Sequence, residues 1–167
     1  MASRSDILIS VLPRYIDRFL SGEKTVELRR RPVKIPPQSR VWIYSKQPRG
    51  MVELLGFVDS VHLSSPRTIW EKFGRLTGLA RRDFDHYFDG VDRGCAIVFR
   101  KIVKLDPVLP LNGIRVKVGT FLPPQFFRVL SSTSPELKLF RSAVNLGSIS
   151  PAKQANQLAA GYAESPS

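Results

Sequence analysis

The sequence predicts a mixed α+β domain in which helices flank a twisted or barrel-like sheet. Strand-like segments outnumber helical ones, and three of them follow one another between residues 21 and 63. A doubly wound parallel sheet needs regular alternation of strands and helices, which this order lacks. The 167 residues, 43% of them hydrophobic, suffice for a sizeable core in one domain with a C-terminal appendage.

The N-terminal segment predicts a strand, a helix and a second strand. The apolar run DILISVL, residues 6–12, is typical of a buried strand. Pro13 suits the first turn of a helix, and Gly22 is a natural helix stop. The stretch SGEKTVELRRR, residues 21–31, then alternates, which predicts a strand with one buried and one polar face. The polar face consists of Thr25, Glu27, Arg29 and Arg31.

The middle of the chain predicts two strands, two helices and a returning strand. Residues 39–46, SRVWIYSK, and 51–63, MVELLGFVDSVHL, are strand-like, and Gly56 indicates a bulge or a close backbone approach. Ser65, followed by proline, is a plausible start for a first helix, and ARRDFDHYFDG predicts a second. Residues 94–105, GCAIVFRKIVKL, predict a strand that returns to the sheet.

The C-terminal third carries weaker signals. PPQFFRVL, residues 123–130, predicts a late strand or helix that packs back on the barrel, and SPELKLFRSAV predicts a last helix. We therefore expect a folded domain over residues 1–130 and a C-terminal helix over 131–146. Residues 147–167 are polar and rich in small side chains, which predicts a disordered tail.

The charge balance favours a polyanionic partner. Lysine and arginine number 26 against 14 acidic residues, a net charge of +12. Residues 1–50 hold eleven basic and four acidic side chains and so carry +7 of that charge. The chain has no run of about 20 apolar residues, so no membrane span is predicted. The opening MASRSDILIS lacks a long apolar segment, which favours a cytoplasmic location.

Familiar catalytic and metal-binding patterns are absent from the sequence. Cys95 is the only cysteine, which excludes an internal disulfide and a cysteine-rich zinc site, and its apolar neighbours predict a core position. His62 and His86 match no metalloprotease pattern and are expected to be structural. No P-loop, Rossmann glycine pattern or nucleophile elbow occurs. The acids of DFDHYFDGVD lack the spacing of an EF-hand loop and predict a helix followed by a turn.

The polar face of the second strand is the strongest candidate for a functional site. Glu27 and Arg29 lie two apart, and Lys24 precedes the strand, where its long side chain is expected to move freely. A buried carboxylate beside cations is typical of tuned acid–base groups, whereas a solvated face with ordinary ion pairs is the alternative. Tyr44 and Trp70 are the candidate aromatics for stacking a base beside these charges.

The stretch GEKTVELR resembles the signature of ASCH domains, a branch of the PUA-like superfamily. The matching positions are Gly22, Lys24, Glu27 and Arg29. The order of elements from LISVLPRYIDRFLSG to GCAIVF is also similar, so the resemblance covers about residues 6–106. It implies a small β-barrel with flanking helices and a cleft beside the motif strand that suits RNA or a nucleotide.

The resemblance also implies two kinds of enzyme. Similar bacterial acetylcytidine amidohydrolases have a proposed site with the motif lysine, a threonine at the position of Glu27, and a glutamate that an ungapped alignment puts near Thr77. Two of these three residues therefore differ here, which argues against amidase activity. Another branch is described as ribonuclease with a divalent metal, for which Glu27 is the obvious oxygen ligand.

The leading hypothesis is a nucleic-acid-binding module, with RNA as the first expectation and another single strand or a nucleotide as alternatives. The second is an enzyme, a ribonuclease or a hydrolase of modified nucleosides, with Lys24 and Glu27 as catalytic residues. The third is a transcription regulator or interaction module. No cofactor is predicted, except a divalent metal under the ribonuclease hypothesis.

The residues expected to line the ligand site are Gly22, Lys24, Thr25, Glu27, Arg29, Tyr44 and Trp70. The residues expected to contact phosphates are Arg29, Arg30, Arg31, Lys34, Arg40 and Lys46.

Overall fold

A six-stranded mixed sheet, curled into a half-barrel, forms the centre of the computed structural model, which describes residues 3–144. Its strands are β1 Asp6–Val11, β2 Val26–Arg29, β3 Arg40–Ser45, β4 Met51–Ser64, β5 Gly94–Pro110 and β6 Phe127–Leu130. The flanking helices are α1 Pro13–Ser21, α2 Pro66–Phe73, α3 Arg81–Tyr87, α4 Leu111–Val118 and α5 Pro135–Ala143. The predicted fold class is confirmed. Every helix within residues 3–144 is too short or too polar to span a bilayer.

The strand order brings the two ends of the domain together. It is β2-β5-β4-β3-β1-β6, with β1 and β3 parallel and the other neighbours antiparallel. The parallel pair needs a crossover, which α1 supplies between Pro13 at its first turn and Gly22, whose left-handed φ of 85° ends it. Asp6 of β1 lies opposite Leu130 of β6, so the N-terminal strand is completed by a C-terminal one.

Several elements differ from the sequence prediction. β5 continues past residue 105 to Pro110, and α4, which was not predicted, follows it directly. α4 has little amphipathic periodicity and buries only Ile114, so packing against the sheet rather than its own pattern stabilises it. The ambiguous segment 123–130 contains β6, and the predicted last helix is α5. The predicted tail, 147–167, lies outside the described residues.

Both faces of the sheet are covered by apolar side chains. α1 packs Phe19 against Phe99 of β5 on one face, with ring centroids 5.9 Å apart. On the other face, Phe140 of α5 lies against Trp42, with centroids 5.5 Å apart. A side chain at Gly56 would come within 2.7 Å of the Phe99 ring, which confirms the close approach predicted there.

A buried carboxylate ties α5 to the sheet. Asp6 is 5% exposed and accepts hydrogen bonds from Trp42 Nε1 at 2.9 Å, Arg40 at 2.8 Å and Arg141 at 2.6 Å. Burial alone would raise the pKa of Asp6, but the hydrogen bonds from Arg40, Trp42 and Arg141 outweigh it and hold the pKa below its usual value. Because Arg141 belongs to α5, the helix shares its core and its ion pair with strands of the 1–130 segment.

We expect Asp6→Asn to destabilise the fold by about 3 kcal/mol, because it leaves two partly buried guanidinium groups without their carboxylate. A carboxyl whose pKa is lowered on folding stabilises the protein above its unfolded pKa, and this stabilisation is lost as the pH falls. Urea unfolding at several acidic pH values should therefore show a flatter acid loss in Asp6→Asn than in the wild type. Asp92→Asn, at an exposed position, is the control. An unchanged acid loss in Asp6→Asn would contradict the role of this carboxylate.

Candidate functional site

Lys24 is buried, so the prediction that its side chain moves freely is wrong. Its backbone forms an isolated antiparallel bridge with Thr77, and its side chain is 2% exposed. Nζ donates to the carbonyl oxygens of Val26 at 2.7 Å and Thr77 at 2.9 Å, and it lies 5.4 Å from the centre of the Tyr15 ring. The ammonium group is therefore fixed within the protein. Thr77, the position aligned with the amidohydrolase glutamate, contacts Lys24 through its backbone.

Glu27 lies between two cations. Its Oε2 is 3.2 Å from Lys24 Nζ, and its Oε1 is 3.0 Å from Arg29 Nη2. Glu27 is only 8% exposed, so the alternative of a solvated strand face is wrong. Burial lowers the pKa of Lys24 below its usual value, and the Glu27 carboxylate opposes that shift without cancelling it.

Arg29 joins the motif strand to two distant segments. Its Nη1 donates to the carbonyl oxygen of Phe126 at 3.1 Å, and its Nη2 lies 3.4 Å from that of Ser10. Ser10 belongs to β1, and Phe126 directly precedes β6. The guanidinium held by Glu27 thus connects β2 with the two strands at the other edge of the curled sheet.

A groove of about 670 Å³ opens above Glu27 and Arg29. Its lining is Ser10, Val11, Leu12, Tyr15, Glu27, Arg29, Arg30, Arg31, Pro32, Val33, Lys46, Tyr87, Gln125, Phe126 and Phe127. Four of these side chains are basic and one, Glu27, is acidic. Since both oxygens of Glu27 already face cations, the groove presents net positive charge to a ligand.

Two compartments adjoin the groove. A pit of about 60 Å³ shares Tyr15, Glu27 and Tyr87 with it and reaches Lys24. On the other side lies an open depression of about 700 Å³, which we call the shelf. Its lining is Ser10, Leu12, Tyr44, Lys46, Gln47, Pro123, Pro124, Gln125 and Phe126. The groove and the shelf meet along Lys46, Gln125 and Phe126, so an extended ligand can occupy both.

The basic side chains of the groove differ in their freedom. Arg30 donates to the carbonyl oxygens of Tyr87 and, at 3.0 Å, of Asp89. Arg31 and Lys46 are exposed, and within residues 3–144 neither takes part in an ion pair. Burial, reinforced by the Glu27 charge, raises the pKa of Tyr87 to about 12, so this phenol stays neutral in the groove wall.

The structure brings together only part of the predicted site. The groove and its compartments contain Lys24, Glu27, Arg29, Arg30, Arg31, Tyr44 and Lys46. Gly22, Thr25, Lys34, Arg40 and Trp70 do not line them. Gly22 ends α1, and the Arg40 guanidinium binds Asp6. Trp70 packs on Phe84 in the core under α2 and α3, with ring centroids 4.9 Å apart.

Phe126 is the main groove residue that the sequence did not reveal. It lies in the segment read only as a late strand or helix, and its ring is 5.1 Å from the Arg31 guanidinium. Tyr15 and Tyr87 were assigned to helices without a functional role, and they too line the groove. Two adjacent phenylalanines after two prolines were the available signal, but nothing local showed that this segment lies beside the motif strand.

The residues of the groove do not fit a divalent metal ion. An ion such as Mg²⁺ needs at least one carboxylate oxygen free to ligate it, and Glu27 is the only carboxylate among the groove-lining side chains of the described residues. Both of its oxygens face cations, which would repel a metal. Between residues 3 and 144, no group of three or more His, Cys, Asp or Glu side chains is arranged to hold one.

Sequence comparison finds a related protein over most of the chain. The chain is 31% identical over 125 residues to a protein of Zymomonas mobilis subsp. mobilis named ASCH domain-containing ribonuclease. The match covers 73% of this chain and 82% of the relative. No family model matches the chain.

Solved structures show the same fold. The crystal structure of ASCH from Zymomonas mobilis superposes with a TM-score of 0.77 at 26% identity and covers 84% of this chain and 96% of that one. A single-substitution mutant of the Zymomonas protein gives a TM-score of 0.76, also at 26% identity, and covers 85% of this chain and 98% of that one.

We expect Glu27→Gln to lower the free energy of unfolding by about 3 kcal/mol, because it leaves the buried Lys24 ammonium without a counter-charge. The double variant Lys24→Met/Glu27→Gln should recover much of this loss in urea unfolding. Because burial already lowers the pKa of Lys24, its proton is lost more readily in the folded state than in the unfolded state. The deficit of Glu27→Gln should therefore shrink as the pH rises from about 7 to about 10.

The control for this cycle is Glu71→Gln, which removes the carboxylate of an exposed ion pair with Arg67. We expect a change below about 0.5 kcal/mol there. Equal losses in Glu27→Gln and the double variant would contradict the pairing of Lys24 with Glu27.

Proposed function

The chain belongs to the ASCH domain family, and from that premise we propose that it binds single-stranded RNA in the basic groove above Glu27 and Arg29. The observation that carries the proposal is the groove lining, where four cations and four aromatic rings surround a single, already neutralised carboxylate. Cations grip the phosphate backbone, and aromatic rings stack unpaired bases.

The basic side chains support complementary roles in this proposal. Arg31 and Lys46 are exposed and without an acidic partner in the described part of the chain, so they are available for phosphates. Arg29 is held in one orientation by Glu27 and two carbonyl oxygens, which suits it to orient a ligand. Arg30 is held by carbonyl oxygens of the α3 end and adds charge without needing to move.

The proposal extends to the size of the ligand and to the cellular location of the protein. The continuity of the groove with the shelf supports an oligonucleotide rather than a mononucleotide. The net charge of +12 supports rapid encounter with a polyanion. We also propose a cytoplasmic location, which fits a chain whose single cysteine is buried and forms no disulfide.

Arg31→Ala should weaken binding of labelled single-stranded RNA and lower the salt slope by about 0.7 unit, the value for one lost phosphate contact on a single strand. The measurement is fluorescence anisotropy over a range of salt concentrations. Arg100→Ala is the matched control, because Arg100 is also exposed and also lies over a phenylalanine, 5.9 Å from the Phe57 ring. Equal effects of the two substitutions would indicate diffuse attraction by net charge and would contradict a specific groove.

The name of the Zymomonas relative favours a second candidate function, the cleavage of RNA. Because the groove does not fit a divalent metal, we propose that the RNA 2′-hydroxyl is the nucleophile. It attacks the adjacent phosphorus, the bond from phosphorus to O5′ breaks, and a 2′,3′-cyclic phosphate forms. Glu27 would accept the 2′-hydroxyl proton, Arg29 would stabilise charge on the phosphate, and the departing O5′ would take a proton from solvent.

Labelled single-stranded RNA incubated with EDTA, Mg²⁺ or Mn²⁺ tests this candidate. We expect equal product in all three, no cleavage of DNA of the same sequence, and a loss of about 100-fold in Glu27→Gln, with folding checked by circular dichroism. Cleavage that requires the metal, or that also cuts DNA, would overturn the mechanism. Retention of RNA without product in any sample would leave binding as the function.

A further inference from the structure

Phe126 is a large aromatic side chain that the fold leaves in solvent beside the groove. It is 59% exposed, although burying its ring would favour folding. It directly precedes β6 and lines both the groove and the shelf, at the place where the two meet. An exposed ring at the centre of an extended basic cleft lies where a ligand can cover it.

Phe126 contacts the motif strand and the residues that follow it. Its carbonyl oxygen accepts a hydrogen bond from Arg29 Nη1 at 3.1 Å, and Arg29 is itself paired with Glu27. The Arg31 guanidinium lies over the ring at 5.1 Å from its centre. Although Arg31 lies over the ring, the residue is still largely exposed, so ring surface remains accessible to a ligand.

The charges around the ring match a nucleic-acid backbone. Arg31 lies on the groove side, and Lys46 lines both compartments. Both are exposed and form no ion pair within residues 3–144. A phosphate near the ring can therefore meet Arg31 in the groove, and another can meet Lys46 where the groove and the shelf meet.

Resting on the RNA-binding function proposed above, we propose that Phe126 is the stacking platform for one unpaired base, with Arg31 and Lys46 holding neighbouring phosphates. The ring then determines that the ligand is single-stranded, because a base within a duplex has both faces covered by its neighbours. In this arrangement, one nucleotide of the ligand occupies the junction between the groove and the shelf.

The test compares two oligonucleotides of equal length and charge, one carrying bases and one wholly abasic, both with 2′-O-methyl riboses that prevent cleavage through the 2′-hydroxyl. Their affinities are measured by fluorescence anisotropy for the wild type, Phe126→Leu and Phe126→Trp. The matched control is Leu122→Ala, which shortens an apolar side chain that is 64% exposed in the same segment. Thermal unfolding confirms that each variant is folded.

We expect the wild type to bind the base-carrying strand about tenfold more tightly than the abasic strand. Phe126→Leu should lose this difference and keep the affinity for the abasic strand, whereas Phe126→Trp should retain it. Leu122→Ala should behave as the wild type.

Two outcomes would overturn the proposal while RNA binding stands. An equal loss for both strands in Phe126→Leu would mean that the ring only supports Arg31, and an unchanged difference would mean that bases stack elsewhere. If the wild type binds neither strand, and also fails to bind unmodified single-stranded RNA, then the proposed function is wrong. The stacking role of Phe126 is then wrong as well.

Discussion

The groove depends on one carboxylate held between two cations. Glu27 neutralises Lys24 on one side and orients Arg29 on the other, in a position that water barely reaches. Arg29 can then bind the carbonyl oxygens of Ser10 and Phe126 and hold three segments of the curled sheet together. The same charge triad thus contributes to stability and sets the shape of the surface that a ligand would meet.

Local pattern was enough to predict much of the fold and the centre of the site. Alternation in KTVELRR identified the face that carries Glu27 and Arg29, and the glycine and proline positions marked the ends of α1. The local pattern could not show how deeply each side chain is buried. Lys24 looked free because burial of a lysine requires acceptors from elsewhere, and the carbonyl oxygen of Thr77, from the turn after α2, is one of them.

The remaining differences come from contacts between distant parts of the chain. Trp70 and Arg40 are residue types that often bind ligands. Here, however, Trp70 packs on Phe84, and Arg40 forms an ion pair with Asp6. The reverse holds for Phe126. Its segment carries no functional pattern in the sequence, but the pairing of β6 with β1 and the hydrogen bond from Arg29 bring it to the groove. Composition therefore suggested candidate residues, and tertiary packing decides which of them line the groove.

The pairing of β6 with β1 has a consequence for protein synthesis. The groove wall includes Ser10 of β1 and, much later in the sequence, Gln125 to Phe127. While the ribosome is still making the middle of the chain, the motif strand and the N-terminal strand exist without the wall that carries Phe126. A nascent chain, held beside its own messenger, therefore completes its groove only after β6 has emerged from the ribosome, so that the proposed capacity to bind RNA appears later than the motif strand does.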